Sequence, residues 1–550
     1  YEKKGIFTSF NPCSYMRIYI TIYFVINFLF IYCDNKHSGD SSTLPNIIWM
    51  VAEDQSPEHF PMYGNKFVSL PNIEQLTKDG VLYTNAYAPV PVCAPSRSAL
   101  ITGMYPSTLG THNMRTYNGY KEFNEPSINI PSYSPIVPEG VKMFTEYLRT
   151  AGYYCTNNSK EDYNFKTLPS AWDESSKEAH WRNRPKDAPF FAVFNFDITH
   201  ESQIWRQADQ PILVDPNSLS VPPIFPDNSI IRKDLAVNYS NLMRLDQQIG
   251  VIIDELKTSG QYDNTLIFFY GDHGGPFPRH KRALYETGIK VPLVVKMPQN
   301  ANAGSQESRL TSFIDYAPSI LSFVGIEPPK IMQGKAFLGK YKTLAPSFVF
   351  TTSDRYDEKV DRLRAVRYNN YKYIRNFNVE ISNALPVAYR EQMAMMQNMR
   401  KQWEAKTLSK AAARWFTTPK PEEELYDITV DPYELNNLAA NPTLKDTLSM
   451  LRNKLEQWMK ETNDLGALPE QEILKQFFPD GKIPKLSPPS YQIIDNRIVL
   501  EHENEGSTLI WQKEGDSFWS IYDQPLAKSS PIKVKAVRIG YNTSEILEFD

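Results

Sequence analysis

The stretch "PVCAPSRSALITG" at residues 91–103 sets Cys93 two residues before Pro95 and four before Arg97. Proline is favoured in the first turn of a helix, where a missing N–H costs nothing, so this spacing puts Cys93 near a helix N-terminus. Free N–H groups and the helix dipole favour an anion there. A solitary cysteine is more often a small buried hydrophobe, which is the reading for Cys155. At a helix N-terminus it can also be a thiolate nucleophile. With 4 cysteines in 550 residues, Cys93 belongs to no disulfide framework.

Two acidic pairs point to a cation. Glu53-Asp54 ends the apolar run "NIIWMVAED", and Asp272-His273 ends "NTLIFFYGDHGG". Either pair alone could cap a neighbouring loop or helix. Two pairs at corresponding strand ends, the second followed by Gly-Gly, bring three carboxylates together, and these repel unless a cation intervenes. Oxygen-rich ligation favours Ca²⁺ or Mg²⁺ over zinc, although the imidazole of His273 also suits transition metals.

The elements that must position these residues are legible. "PNIIWMVAED", "PFFAVFNFDITH", "NTLIFFYGDHGG" and "VPLVVKMP" are short apolar runs of the kind found in buried parallel strands. Helical patterns alternate with them: "LPNIEQLTKDG", "GVKMFTEYLRTAG" and "NYSNLMRLDQQIGVIIDELKTSG", the last closed by a Gly stop. Such alternation predicts an α/β fold with a large, mostly parallel sheet covered on both faces. Ligands then bind beyond the carboxyl ends of the strands, where both acidic pairs lie. After about Ala345 the pattern changes to short antiparallel strands and one helix, which predicts a smaller α+β subdomain. Beyond the Pro-rich "PDGKIPKLSPPS", alternating strands with Gly and Pro turns predict a small β-sandwich-like appendage. The expected divisions are 1–43 for a targeting segment and linker, 44–345, 346–470 and 485–550.

A formal net charge of -4 offers no basic field, so nucleic acid is not an expected partner. Residues 16–33, "MRIYITIYFVINFLFIYC", have the layout of a secretory signal. It resembles a bacterial lipoprotein signal with Cys33 as the lipidated residue, except that Tyr32 stands where a small residue is expected. A plain signal peptide or an uncleaved anchor is the alternative. The residues before Met16 resemble no targeting element, which makes Met16 a candidate start. The expectation is export to the periplasm or cell surface, with a lipid anchor through Cys33.

Cys93-Ala94-Pro95-Ser96-Arg97, followed by Leu100, Thr102-Gly103 and Tyr105-Pro106, resembles the signature of the type I sulfatases. Cysteine phosphatases use a Cys-x5-Arg loop instead, and Arg97, only four residues after Cys93, comes two residues too early for it. "ELYDITVDPYELNNLA" is also similar to the C-terminal subdomain of that family, and the likeness runs from Pro45 to about Leu465. The resemblance implies an alkaline-phosphatase-like fold. It implies that Cys93 is oxidised to formylglycine by a dedicated maturation enzyme. It implies one Ca²⁺ held by Glu53, Asp54, residue 93, Asp272 and His273. Glu53 and His273 depart from the commonest pattern, Asp at the first position and often Asn at the last. Arg97 matches the arginine that steadies the nucleophile, and Lys160 and Lys281 match the lysines that contact sulfate. His200 matches the histidine near the leaving oxygen. Asp162 stands where a histidine is common, so no role is carried over to it.

The resemblance implies hydrolysis of sulfate esters on a sulfated polysaccharide or oligosaccharide. Hydrated formylglycine offers two hydroxyls on one carbon; one attacks sulfur and the other later expels sulfate, which a serine could not do. "GTHNMR" and "TNNSKEDYN" resemble the branch holding heparan N-sulfatase relatives and marine polysaccharide sulfatases. His112 and Arg115, in the loop after the nucleophile helix, are expected at the site mouth as sugar contacts. The rivals are a phosphonate or phosphate ester hydrolase of the same superfamily and a catalytically dead sugar-binding protein. A peptide covering Ala88 to Arg97 should have lost the thiol mass and carry an aldehyde, read by mass spectrometry. Cys93→Ala should abolish turnover while leaving the fold intact; an active Cys93→Ala enzyme would refute the chemistry.

Overall fold

The computed structural model describes residues 44–117, 130–516, 518–527 and 531–549. The targeting segment and Cys33 lie outside the described residues. Leu44–Asp550 is one compact unit.

Its centre is a sheet of nine strands among the described residues. In chain order these are β1 (Asn46–Ala52), β2 (Val81–Tyr87), β3 (Tyr154–Asn158), β4 (Glu174–Ser175), β5 (Phe190–Phe196), β6 (Thr265–Gly271), β7 (Lys290–Lys296), β8 (Ser305–Glu307) and β9 (Thr311–Ser312). The spatial order is β4-β3-β5-β1-β6-β7-β2-β8, with β9 also on β2. Five helices matter to the site: α1 (Pro71–Asp79), α2 (Cys93–Thr102), α3 (Phe144–Thr150), α4 (Ser229–Thr258) and α5 (Tyr316–Phe323).

Side chains alternate across a strand, so each strand feeds two cores. Ile48, Met50, Ile267 and Phe269 join Leu242, Leu245 and Ile249 of α4 on one face. Ile47, Trp49, Val51, Phe268 and Tyr270 join Phe144, Tyr316 and Ile320 of α3 and α5 on the other. Every residue of β1 and β6 is buried, which is why both read as unbroken apolar runs.

Register brings the strand ends level. Ala52, the last residue of β1, pairs with Phe196 of β5 and Gly271 of β6, all three strands running parallel. Glu53-Asp54, Asp197 and Asp272-His273 therefore leave the sheet side by side. β7 departs from the expectation of a parallel strand: it runs antiparallel to both β6 and β2. A parallel return needs a crossover spanning the sheet. The segment between Asp272 and Ile289 instead holds only the short helix Glu286–Ile289 and stays at one end. That keeps Lys281 beside the end of β6.

All ten residues of α2 are buried, including Ser96, Arg97 and Ser98. Gly103 closes the helix in a left-handed conformation at φ 70°. A second, antiparallel sheet holds β10 (Phe348–Tyr356), β11 (Lys359–Tyr368), β12 (Tyr371–Asn376) and β13 (Glu423–Asp427) in sequence order. Helix α6 (Lys445–Glu461) covers it, with Trp458 stacked on Phe350 at 4.9 Å. The last strands make a three-stranded and a four-stranded antiparallel sheet around Ile498, Leu500, Val534 and Phe549. This unit is docked rather than tethered: Arg149 of α3 donates to the Trp519 carbonyl at 2.8 Å, and Arg538 to that of Val137 at 3.3 Å.

Gly274 follows the Asp272-His273 pair, and a Cβ built there would lie 2.1 Å from the Thr287 carbonyl oxygen. Gly274→Ala should cost about 3 kcal/mol through this backbone clash. The measurement is a lowered urea midpoint at unchanged slope, together with lost turnover.

Candidate active site

Cys93 is the first residue of α2, preceded by the extended Val92, and is 1% exposed. Its Sγ lies 3.2 Å from His273 Nε2, 3.5 Å from Lys281 Nζ and 3.8 Å from Asp54 Oδ1. Donor atoms of Asp54, Cys93, Asp272 and His273 all lie within 4.8 Å of one another. Asp54 reaches the cluster from a left-handed backbone at φ 55°, a conformation that Asp tolerates better than most residues. Its N–H donates to Asp272 Oδ1 at 2.9 Å, which locks the two strand ends together.

Fully buried carboxylates must be matched by cations. Lys281 Nζ donates to both oxygens of Asp54 at 2.8 and 3.0 Å, and His273 Nε2 lies 3.0 Å from Oδ1. The Glu201 N–H donates to Oδ2 at 2.6 Å. Burial opposes ionisation of Asp54, but Lys281, His200 and His273 hold its carboxyl well below the usual range. Asp272 likewise sits at about 2: burial raises it, and His273 and Arg97 overcome burial. His273 is pushed up to about 10, the pull of Asp272 and Asp54 outweighing burial. A proton thus sits on this ring because the acids demand positive charge at this point. That demand, with carboxylate oxygens on two sides, fits a bound cation among Asp54, Asp272, His273 and residue 93.

The matching extends into one continuous row. Glu53 Oε2 accepts from Lys160 at 2.9 Å and Oε1 from Arg97 at 3.5 Å, and Arg97 donates on to Asp272 at 3.0 Å. His273 joins Asp272 to Asp54. From Asp54 the row continues through Lys281 to Glu201 at 3.1 Å, then to Arg282 through two bonds of 2.8 and 2.9 Å. Arg282 meets Asp357 at 3.2 Å, and Asp357 meets Arg115 at 3.3 Å. Its two ends, Lys160 and Arg115, line a cleft of about 1040 Å³ whose inner wall includes Glu53 and Asn195.

The residues expected from sequence separate into groups. Asp54, Cys93, Asp272 and His273 close into one cluster, with Lys281 and Arg97 bonded to it. Glu53 lies outside the four-residue cluster, its carboxylate turned to Lys160 and Arg97. His200 sits beside Lys281, Nε2 to Nζ 3.2 Å. Burial, helped by Lys281 and Lys160, pushes its pKa down to about 3, and its Nδ1 accepts from the Ser202 N–H at 3.3 Å, which leaves the neutral ring's proton on Nε2. Arg115 is at the cleft. His112 is not at the mouth: it is 1% exposed, because its loop is drawn inward. The Asn164 amide donates to the carbonyls of Thr111 and Asn113 at 2.7 and 2.6 Å.

Sequence reasoning missed Glu201, Arg282, Asn195 and Asp357. Asn195 accepts from Arg97 NH1 at 2.6 Å and orients that guanidinium. It was visible as the one amide in the apolar run "FFAVFNF". Glu201 and Arg282 adjoin His200 and Lys281, and adjacency to a named residue was the available signal. Asp357, on the β10–β11 turn, carried none. Glu201→Gln keeps the shape but strips the counter-charge from Lys281 and Arg282. Breaking a buried pair this way should cost about 3–5 kcal/mol, read as a lower Tm, and should depress kcat on small and large substrates alike.

Comparison with known proteins follows from this geometry. The sulfatase family model matches residues 45–171 and 154–326, and a model described as the C-terminal part of N-sulphoglucosamine sulphohydrolase matches 271–414. An ulvan-active sulfatase of Formosa agariphila is 38% identical over 547 residues, covering 92% of this chain and 91% of that protein. Human N-sulphoglucosamine sulphohydrolase is 24% identical over 469 residues, covering 76% and 90%. A protein solved in complex with its substrate D-glucosamine-2-N,6-O-disulfate superposes with a TM-score of 0.54 at 18% identity, over 76% of this chain and 98% of that one. This last likeness is one of fold.

Proposed function

The chain belongs to the sulfatase family, and from that premise we propose that it cleaves sulfate esters of a sulfated polysaccharide or oligosaccharide, releasing inorganic sulfate. The observation that carries the reading is Cys93 at the N-terminus of α2, buried against His273, Lys281 and Asp54. A thiol needs no such company to pack. Cys93 is the residue a maturation enzyme would convert to formylglycine, whose hydrate supplies an oxygen nucleophile and a second hydroxyl for sulfate release.

Asp54, Asp272, His273 and residue 93, with Glu53 alongside, would hold Ca²⁺. Carboxylate oxygens, and an oxygen in place of the Cys93 sulfur, suit that hard cation. The ion would supply positive charge where the sulfuryl oxygens gather negative charge. Arg97, Lys160 and Lys281 add to it from the chain itself. Lys281 Nζ, or the Nε2–H of His200 beside it, can hand a proton to the departing sugar oxygen.

The cleft supports a polymeric substrate. Tyr117 and Tyr389 offer faces for sugar rings, and Lys166, Lys177 and Arg206 offer charge for further sulfates or uronates. Ulvan ranks first among polymers because of the 38% identical relative. The apolar residues 16–33 support export to the periplasm or cell surface, with lipid attachment at Cys33.

Sulfate release should be compared on oligosaccharides of ulvan, carrageenan, fucoidan and heparan sulfate, with an aryl sulfate and an aryl phosphate beside them. Ulvan should lead, and aryl sulfate should exceed aryl phosphate; a preference for phosphate would replace this reading with the phosphoesterase one. Arg115→Ala should raise KM on the best oligosaccharide about tenfold or more, the loss of one charge-assisted contact. KM for the aryl sulfate should hardly move.

A further inference from the structure

We propose that Glu58, His59 and His280 form a second metal site, for a divalent transition ion such as Zn²⁺, sharing no ligand with the Asp54 cluster. Glu58 and His59 lie in the short helical turn Pro57–His59 after β1. His280 lies in the segment between β6 and β7. His280 Nε2 is 2.9 Å from Glu58 Oε1, and His59 Nε2 is 3.8 Å from the same oxygen. The three donor atoms lie within 4.8 Å of one another. Bonds of about 2.0–2.1 Å in a tetrahedral zinc site set donors roughly 3.3 Å apart, and the two measured separations straddle that value.

The hydrogen bonds on the far side of each ring decide what these atoms can be. Gln55 Nε2 donates to Asn238 Oδ1 at 3.1 Å, so its Oε1 faces His59 Nδ1 at 2.9 Å as an acceptor. His59 Nδ1 must then carry the proton. His280 Nδ1 faces the Pro278 carbonyl at 3.1 Å and must donate too. With Nδ1 as the donor, Nε2 is the ring nitrogen left to bind an ion, and on both rings it faces the Glu58 carboxylate. Three electron-pair donors converge on one point. A single extra proton could bridge His280 and Glu58 but would leave the third donor unmatched; a divalent cation matches all three. Backbone and amide partners on Nδ1 are the usual outer support of histidine metal ligands.

The rings are held in place before any ion arrives. They stack on each other with centroids 5.9 Å apart at 14°. Phe225 stacks on His280 at 5.8 Å, and Phe277 meets both rings edge-on at 5.7 and 5.6 Å. Gly275 permits this closure: a Cβ there would lie 2.7 Å from an atom of each ring. Burial drives the His59 pKa down to about 4, which keeps that ring a ready ligand. The side chains of His59 and His280 are 4% and 1% exposed, whereas Glu58 is 34% exposed. The trio borders a cavity of about 420 Å³ that leaves room for water as a further ligand. Two imidazoles and one carboxylate favour zinc and its first-row neighbours over calcium. The ion would tie the segment after β1 to the segment after β6, the two that carry Asp54 and Lys281.

The test uses the full chain in excess Ca²⁺, titrated with Co²⁺ as a spectroscopic probe and back-titrated with Zn²⁺. One Co²⁺ per chain should give ligand-field bands, be displaced by Zn²⁺, and raise the Tm. Glu58→Gln, at the exposed rim, and His280→Gln should each weaken it by about 100-fold or more. Asp54→Asn should leave it intact. Absence of a saturable Co²⁺ signal would overturn the proposal, as would a signal that survives both Gln variants or disappears in Asp54→Asn.

Discussion

Asp54 and Asp272 are buried side by side at the ends of adjacent strands, and the rest of the site answers the cost of leaving them there. An unmatched buried carboxylate costs several kcal/mol. Two, bonded through the Asp54 N–H, cannot coexist without cations on more than one side. Lys281, Arg97 and His273 supply them. Those cations are themselves buried, which brings in Glu201 and Glu53, and these bring in Arg282 and Lys160. The row ends where solvent can take over, at Lys160 and Arg115, each about a quarter exposed.

The sheet makes this arrangement possible by register alone. Because β1, β5 and β6 are parallel and end level, three chain exits share one edge, and no loop has to be bent toward another. Reversal at β7 keeps residues 272–289 on that edge, so Lys281 and His280 stand near the strand that bears Asp272. Helix α2 adds Cys93 from the β2 side, with Ser96 accepting no freedom: its hydroxyl donates to the Asp272 carbonyl. One strand pairing thus fixes acids, cations and Cys93 together.

How much was legible follows from the same physics. Strands β1 and β6 could be read because complete burial leaves an unbroken apolar run, and β5 because only Asn195 interrupts its run; their acidic ends stood out against it. Cys93 was legible through the Pro95 and Arg97 spacing. The direction of β7 was not, since an apolar run looks the same in either sense; only the lack of a crossover helix between 272 and 289 hinted at it. His112 was misplaced because sequence proximity to α2 says nothing of which way a loop turns, and Asn164, far along the chain, turns it inward. Glu201, Arg282 and Asp357 owe their places to partners 75 or more residues away, beyond any local pattern.

The alternation within the row has a chemical consequence. Every lysine and arginine in it is already engaged by a carboxylate, so a row of this kind has little positive charge to spare for an anionic sulfate ester. A divalent cation between Asp54 and Asp272 would change the balance at one point: it takes over the acids that Lys281 and Arg97 now serve. Their charge then becomes available to the substrate, as does that of Lys160 once Glu53 is drawn to the ion. On this argument such a cation would contribute in two ways, through its own field and through the lysine and arginine charges it would release.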